Sequence, residues 1–327
     1  DDTYFNNLLN ETINSNSANT ALDLNGENIF ISNHLDINEG THATRTIELW
    51  FKVDNKSLGS KQVLYEEGGS TRGLNIYISE DGLLYVGGWN RKESESQWMG
   101  NWISATIENN QWHHVALTLD GEVDGSISSD ALKMYLDGNF INSSQGSQLW
   151  QHGADINVGK NGSSRFPLGY DGSSGEYFYG SIDEFRIWNV ARSSQNIALY
   201  KDSFLNGNET ELTTYFDFED QTADDVQTFD SKNNGTISSN SVSWVSGPPL
   251  NISFENEDID CYIEDKSHRL DLGKMTLKDF RTYTQKEGGP KKGSWKFKNY
   301  QEHFEVGTPF MNNKNNHEQG DFEILIP

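Results

Sequence analysis

Thr46-Ile-Glu-Leu-Trp-Phe-Lys-Val53 carries its β-branched and aromatic residues at a period of two. That spacing puts every second side chain on the same face of a β-strand. Leu74-Asn-Ile-Tyr-Ile-Ser79, His113-His-Val-Ala-Leu-Thr-Leu119 and Leu132-Lys-Met-Tyr-Leu136 repeat the pattern. The runs end at turn pairs such as Asp81-Gly82, Asp120-Gly121 and Asp137-Gly138, dipeptides that suit tight hairpins. A parallel α/β fold needs long amphipathic helices between its strands, and none is readable. Only Ser193–Tyr200 reads as a helix, short and with a serine to cap it. The expected fold is all-β: two antiparallel sheets packed as a sandwich.

Outward from these runs the chain divides into three parts. Residues 1–19, rich in Asn, Ser and Thr, read as an N-terminal arm, and 20–247 as the sandwich. A boundary falls at Ser246-Gly-Pro-Pro249, beyond which 250–327 reads as a small β-rich module. Its strand-like runs, Trp295–Lys298 and Phe322–Ile326, flank loops that include Lys286-Glu-Gly-Gly-Pro-Lys-Lys-Gly293.

The 327 residues hold 25 Lys and Arg against 49 Asp and Glu, a net charge of −24. Such a field repels phosphate backbones, so nucleic acid is not an expected partner. Aromatic residues make up 12% of the chain, enough to fill a core and leave rings for a surface. A single cysteine, Cys261, rules out an intramolecular disulfide and thiolate metal clusters. No apolar run is long enough to span a bilayer, so membrane insertion is not expected. No leader is visible at Asp1, and the chain is read as a mature or trimmed form of a secreted or cell-surface protein.

Four ordered stretches then carry a resemblance. They are Ala21-Leu-Asp-Leu-Asn-Gly26; Ile47-Glu-Leu-Trp-Phe51; Gln111-Trp-His-His-Val-Ala116 with Lys133-Met-Tyr-Leu-Asp-Gly138; and Ile156-Asn-Val-Gly159 leading to Gly180-Ser-Ile-Asp-Glu-Phe-Arg-Ile-Trp-Asn189. Together they resemble bacterial laminin-G-like domains of the concanavalin-A-like superfamily. The resemblance implies a jelly-roll arrangement of the two sheets, a calcium ion as cofactor, and glycan or protein binding.

The candidate sites follow from residue type. Regular alternation through Ile182–Trp188 would put Asp183, Phe185 and Ile187 on one face and Glu184, Arg186 and Trp188 on the other, so Glu184 and Arg186 are expected to pair. A carboxylate among apolar neighbours needs a hydrogen bond or a metal. Asp183 with Asp23 and Asn25 is therefore the candidate calcium set. Trp50, Trp112 and Trp188 sit in strand patterns and are expected to pack. Trp89, Trp98 and Trp102 crowd into a polar, loop-like stretch with Asn90. Indole faces beside polar groups suit a sugar. Arg165–Gly172 and Tyr177–Tyr179, with Tyr170 and Tyr177, are the expected opposite wall. The acidic stretch Asp120–Gly125 reads as a solvated turn.

No catalytic set emerges. The glycosidases of this superfamily carry Glu-x-Asp-x-x-Glu carboxylates on one strand face, whereas Asp183 and Glu184 are adjacent. His113-His114 falls within the strand pattern. The expected function is a non-catalytic module that binds a polysaccharide or glycan with calcium. The competing expectation is an interaction or spacer domain that meets neighbouring surface-protein domains, or an accessory domain of a polysaccharide-degrading enzyme. The lysines of 286–298 would meet either an acidic polysaccharide or the acidic sandwich.

Overall fold

A computed structural model describes residues 19–250, apart from 92–97, 154–155, 173–174, 206, 208, 220–224, 227–233 and 239–240, together with four strand backbones beyond 250. The expected arm lies outside the described residues except for Asn19, and so does most of the lysine-rich stretch.

Two eight-stranded antiparallel sheets build the sandwich. The first contains β1 (Thr20–Asp23), β3 (Thr44–Val53), β8 (His113–Asp120), β9 (Ser128–Leu136), β10 (Asn139–Gly146), β14 (Gly180–Trp188), β15 (Leu212–Phe216) and β18 (Ser243–Ser246). Its order is β10-β9-β8-β3-β14-β1-β18, with β15 also paired to β14. The second contains β2 (Ile29–Ile31), β4 (Gln62–Gly68), β5 (Arg72–Ile78), β6 (Leu83–Asn90), β7 (Trp98–Thr106), β11 (Ile156–Val158), β16 (Asp225–Val226) and β17 (Gly235–Ile237). It runs β16-β17-β2-β11-β4-β5-β6-β7.

Alternation makes the core. Ile47, Leu49, Phe51 and Val53 of β3 join Leu74, Ile76 and Ile78 of β5 and Leu84 and Val86 of β6 in one buried cluster. Each such side chain contributes about 1.5–3 kcal/mol by leaving water. The outer face of the first sheet is covered in part by α1 (Ser194–Tyr200), capped as expected by Ser193, whose side chain accepts from Asn196 N. Trp50 Nε1 donates to Lys201 O at 2.7 Å and Arg186 Nη1 to Tyr200 O at 3.0 Å. The packing expectation for the strand tryptophans agrees with their placement: Trp50 and Trp188 are buried, and Trp112 lies half-buried under the Lys52 ammonium.

β14 departs from regular alternation. Asp183 pairs with Trp50 but Arg186 pairs with Glu48, so β14 uses three steps where β3 uses two. The extra residue is Glu184, whose φ is 50°. This β-bulge turns Asp183 and Glu184 both outward. Ile182, Phe185 and Ile187 then face the core, which corrects the expectation that Asp183 shares a face with Phe185 and Ile187. The expected Glu184–Arg186 pair does form, and Tyr215 OH adds a bond to Glu184 Oε1 at 2.9 Å.

A two-stranded hairpin, β12 (Ser164–Phe166) with β13 (Gly169–Asp171), lies on the outer face of the second sheet. Phe166 closes a second cluster there with Val63 and Tyr77, packed against Tyr85 and Trp102. Beyond the sandwich, β19 (Cys261–Glu264), β20 (Arg269–Gly273), β21 (Gly293–Phe297) and β22 (Phe322–Ile326) form a sheet in the order β20-β19-β22-β21. The sandwich unit spans 19–201 and 207–249, and these four strands belong to a second unit.

Candidate functional site

The three clustered tryptophans fall on strands, not on a loop, and a register shift between β6 and β7 at Gly88–Asn90 puts Trp98 on the opposite face from Trp102. Trp98 joins the core between the sheets. Trp102 lies on the outer face, its ring over Gly87, where an added Cβ would come within 2.1 Å of the indole Nε1. Trp89 lies on that same face over Gly73 and stacks beside Trp102 at 6.4 Å between centroids. The glycine floor is what lets two indoles lie flat against the sheet.

Burial corrects the expected sugar platform. Trp89 and Trp98 are 0% and 1% exposed, so neither offers a ring face to a ligand. Trp89 instead braces a turn, its Nε1 donating to Gly69 O at 2.8 Å. Asn90 is also buried, and its Nδ2 donates to Gln148 O at 2.9 Å. Trp102 stays half-buried. Tyr170 is exposed, with its hydroxyl 2.8 Å from Ser163 Oγ, and Tyr177 is half-buried beneath the Lys160 ammonium. The two expected walls do approach each other, because the hairpin packs Phe166 against the Trp102 cluster.

A concave feature lies beside these walls. A pocket of about 430 Å³ opens between the β4–β5 turn, Gly69–Arg72, and the segment Gln151–Gly153. The turn is tight. Gly68 has φ 110°, and a Cβ there would stand 2.1 Å from Arg72 O. Ser70 and Thr71 are exposed, whereas Arg72 and His152 are buried to within 9%. Arg72 Nη1 donates to Gln151 O at 2.5 Å, and its guanidinium lies 5.8 Å from the Trp150 ring. The hairpin reaches the same turn, with Arg165 Nε 3.4 Å from Ser70 O.

Beneath the pocket sits a buried polar cluster. His152 Nδ1 bonds the Trp150 carbonyl at 2.9 Å, and its Nε2 faces Glu67 Oε2 at 3.7 Å. Burial would raise the Glu67 carboxyl, but His152 and Arg45 outweigh it and hold it below its usual range. His42 is brought down to about 4 by burial and by Arg45. Nothing in the sequence links Gly69–Arg72 to Gln151–Gly153 across some eighty positions, so this site was not legible there.

The expected calcium set does not assemble. Asp23 pairs in register with Ser181, two positions along β14 from Asp183, and its hydroxyl partner is Ser243 at 3.4 Å. Asn25 is exposed in the turn after β1. Asp183 is fully buried, and one of its oxygens accepts from Glu184 N at 2.8 Å. The other, Oδ2, is buried without a hydrogen bond, as is Asn19 Oδ1 beside it near Gly247. Burial, then the charges of Glu184 and Glu219, push the Asp183 carboxyl well up. Among the described residues no group of three or more His, Cys, Asp and Glu side chains is placed to hold a metal. Asp183 Oδ2 and Asn19 Oδ1 are oxygens of the kind a hard cation takes, and the charge of Glu219 acts on the same carboxyl.

His113 and His114 lie in β8, as the strand pattern implies. His113 Nδ1 bonds Asp137 Oδ2 at 2.9 Å, and His114 is buried with Nε2 3.7 Å from Glu48 Oε2. Burial brings His114 down to about 3.

Comparison with known proteins agrees with this architecture. The family model of the concanavalin A-like lectin/glucanases superfamily matches residues 25–198. A candidate carbohydrate-binding protein of Bacteroides ovatus ATCC 8483 aligns over 72% of this chain at 18% identity and a TM-score of 0.53. The alignment spans 62% of that protein, less than two thirds of its length. A heptameric SAP-like pentraxin of Limulus polyphemus aligns over 72% of this chain and 99% of its own, at 12% identity and a TM-score of 0.44. The CBM40 of Ruminococcus gnavus IT-sialidase, bound to α2,3 sialyllactose, covers 49% of this chain and 83% of its own at 16% identity, with a TM-score of 0.34. No curated protein matches the sequence.

Proposed function

The chain belongs to the concanavalin A-like lectin/glucanases superfamily, and from that premise we propose that it is a non-catalytic module that binds a glycan in the Gly69–Arg72/Gln151–Gly153 pocket. The observation that carries this reading is the pocket itself: about 430 Å³, rimmed by exposed hydroxyls and walled by Arg72 and His152. Hydroxyls, an imidazole and a guanidinium beside an aromatic ring match the mixed polar and C–H surface of a sugar. The description of the Bacteroides ovatus neighbour as a candidate carbohydrate-binding protein supports the same class of ligand. Two buried carboxylates, Glu48 and Glu184, are tied to arginines, and Glu67, beneath the pocket, faces His152. A glycan ligand puts the protein's work outside the cell, secreted or on its surface. Among the described residues no helix is long and apolar enough to cross a membrane.

The reading includes one calcium ion. Asp183, Asn19 and Glu219 would hold it, and its charge would stabilise a carboxylate that burial otherwise disfavours. The ion would brace the junction of β1 and β14, away from the pocket.

A glycan array followed by calorimetric titration tests the pocket. Thr71→Trp fills the pocket mouth from an exposed position, so it should abolish binding of an array hit while leaving the melting temperature unchanged. Retained binding in Thr71→Trp would move the site elsewhere. An array with no hit would favour an interaction domain that meets neighbouring protein.

A further inference from the structure

We propose that Lys61 is a resident cation that positions the β12–β13 hairpin, and through it the turn that forms one wall of the pocket; this rests on the glycan-pocket reading. The Lys61 ammonium sits among three carboxylates: Glu176 Oε1 at 2.8 Å, Glu80 Oε1 at 3.3 Å and Asp171 Oδ2 at 3.6 Å. Those carboxylates come from three different places: the β5–β6 turn, the end of β13 and the loop that follows it. The ammonium also lies 4.8 Å from the Phe166 ring centroid, so one charge touches both strands of the hairpin.

The rest of the cage is built to hold this arrangement. Glu176 Oε2 accepts from Asn161 Nδ2 at 2.6 Å, and the Glu176 carbonyl accepts from Val63 N at 3.1 Å. Glu176 has a φ of 55°, a left-handed backbone that a non-glycine residue adopts only when its surroundings demand it. Burial would lower the Lys61 ammonium, but Glu176 and Glu80 more than offset this and raise it. Three carboxylates around one point are the donors a calcium ion takes. Here the chain's own ammonium fills that place, so the hairpin needs no metal.

The hairpin transmits this placement to the pocket. Asn75 Nδ2 donates to Ser164 Oγ at 2.9 Å and to Arg165 O at 2.8 Å, fixing one hairpin strand over β5. Arg165 then reaches Ser70 of the pocket turn. Lys61 touches no lining residue of the pocket; it is a positioning residue.

Hydrogen exchange at the amides of 163–171, measured beside glycan affinity in Lys61→Met and Lys61→Arg, tests the proposal. Lys61→Met leaves three carboxylates facing one another without a cation. Hairpin exchange should rise at least about tenfold, equivalent to about 1.4 kcal/mol, while the amides of β3 and β8 keep their protection. Glycan affinity should fall with it, and Lys61→Arg should restore both. Chelation of divalent ions should leave hairpin exchange unchanged in the parent protein. If Lys61→Met does not fold, Glu176→Gln in the parent serves instead, and it too should loosen the hairpin. Hairpin protection equal to that of the parent in the folded variant, or sensitivity to chelator, would overturn the proposal. A parent protein that binds no glycan overturns only the pocket reading, because hairpin exchange still reports on Lys61.

Discussion

Replacing Glu48 by glutamine removes one negative charge from a wholly buried position around which the fold gathers four partners. Glu48 accepts from Trp188 Nε1 at 2.9 Å and from Arg192 Nη1 at 2.5 Å, with Arg186 at 3.6 Å and His114 at 3.7 Å. Burial pushes the carboxyl up, but Arg192 and Arg186 outweigh it and bring it from 4.5 down to about 2. A depressed carboxyl stabilises the fold fully above its unfolded value, 4.5, and loses that contribution as pH falls towards about 2. At about 1.4 kcal/mol per pH unit, the charged form is worth about 3 kcal/mol. Glutamine keeps the shape and one acceptor but not the charge. Glu48→Gln should therefore lose about 3 kcal/mol at neutral pH, lowering the melting temperature by about 6–12 °C for a unit of this size. Urea unfolding, followed by tryptophan fluorescence across a pH series from neutral to acid, gives the assay. The gap between the two proteins should close as acid protonates Glu48 in the parent. A gap under about 1 kcal/mol at neutral pH, or one that stays constant into acid, would refute the reasoning.

Other outcomes follow from the same structure. His114 is held neutral in the fold, its value lowered from 6.5 to about 3 by burial, so its contribution is complete above 6.5 and is lost as pH drops; His114→Gln should flatten that limb of the stability curve. Trp98→Ala should cost about 3–5 kcal/mol in chemical denaturation, against a much smaller loss for half-buried Trp112→Ala; equal losses would contradict the inward placement of Trp98. Gly87→Ala puts a Cβ 2.1 Å from the Trp102 indole and should cost about 1–3 kcal/mol with a shifted emission spectrum; an unchanged spectrum would place Trp102 elsewhere. Chelation should lower the melting temperature and calcium should restore it, with Asp183→Asn insensitive to both; a parent protein indifferent to chelator would end the calcium reading.

The fold was legible where side-chain alternation is regular. Ile47 to Val53 and Val115 to Leu119 announce their buried faces through residue type alone, and Ser193 announces the cap of α1. The bulge was not legible, because Asp183 and Glu184 are both acids and a sequence of residue types does not say which one is the inserted step. The tryptophan cluster misled for a related reason. The surrounding Asn, Gln, Arg and Glu look like a loop, whereas Trp89 and Trp102 are strand residues lying on glycines 73 and 87. Most of those polar neighbours, residues 92–97, lie outside the described residues. The pocket was hidden for a topological reason. Its two sides come from turns far apart in the chain, and only the sheet order brings them together.

The backbone at Asn19 and Gly247 carries a mechanical consequence. Gly247 N donates to Asn19 O at 2.7 Å, and Asn19 Nδ2 donates to Pro248 O at 2.7 Å, so the polypeptide enters and leaves the sandwich at one point. From there β1 and β18 run side by side in opposite directions. Tension applied through the flanking chain would peel this pair apart one rung at a time, because the load falls on each bond in turn and is never shared across the ladder. Under flow or tugging, the module would give way first along this seam.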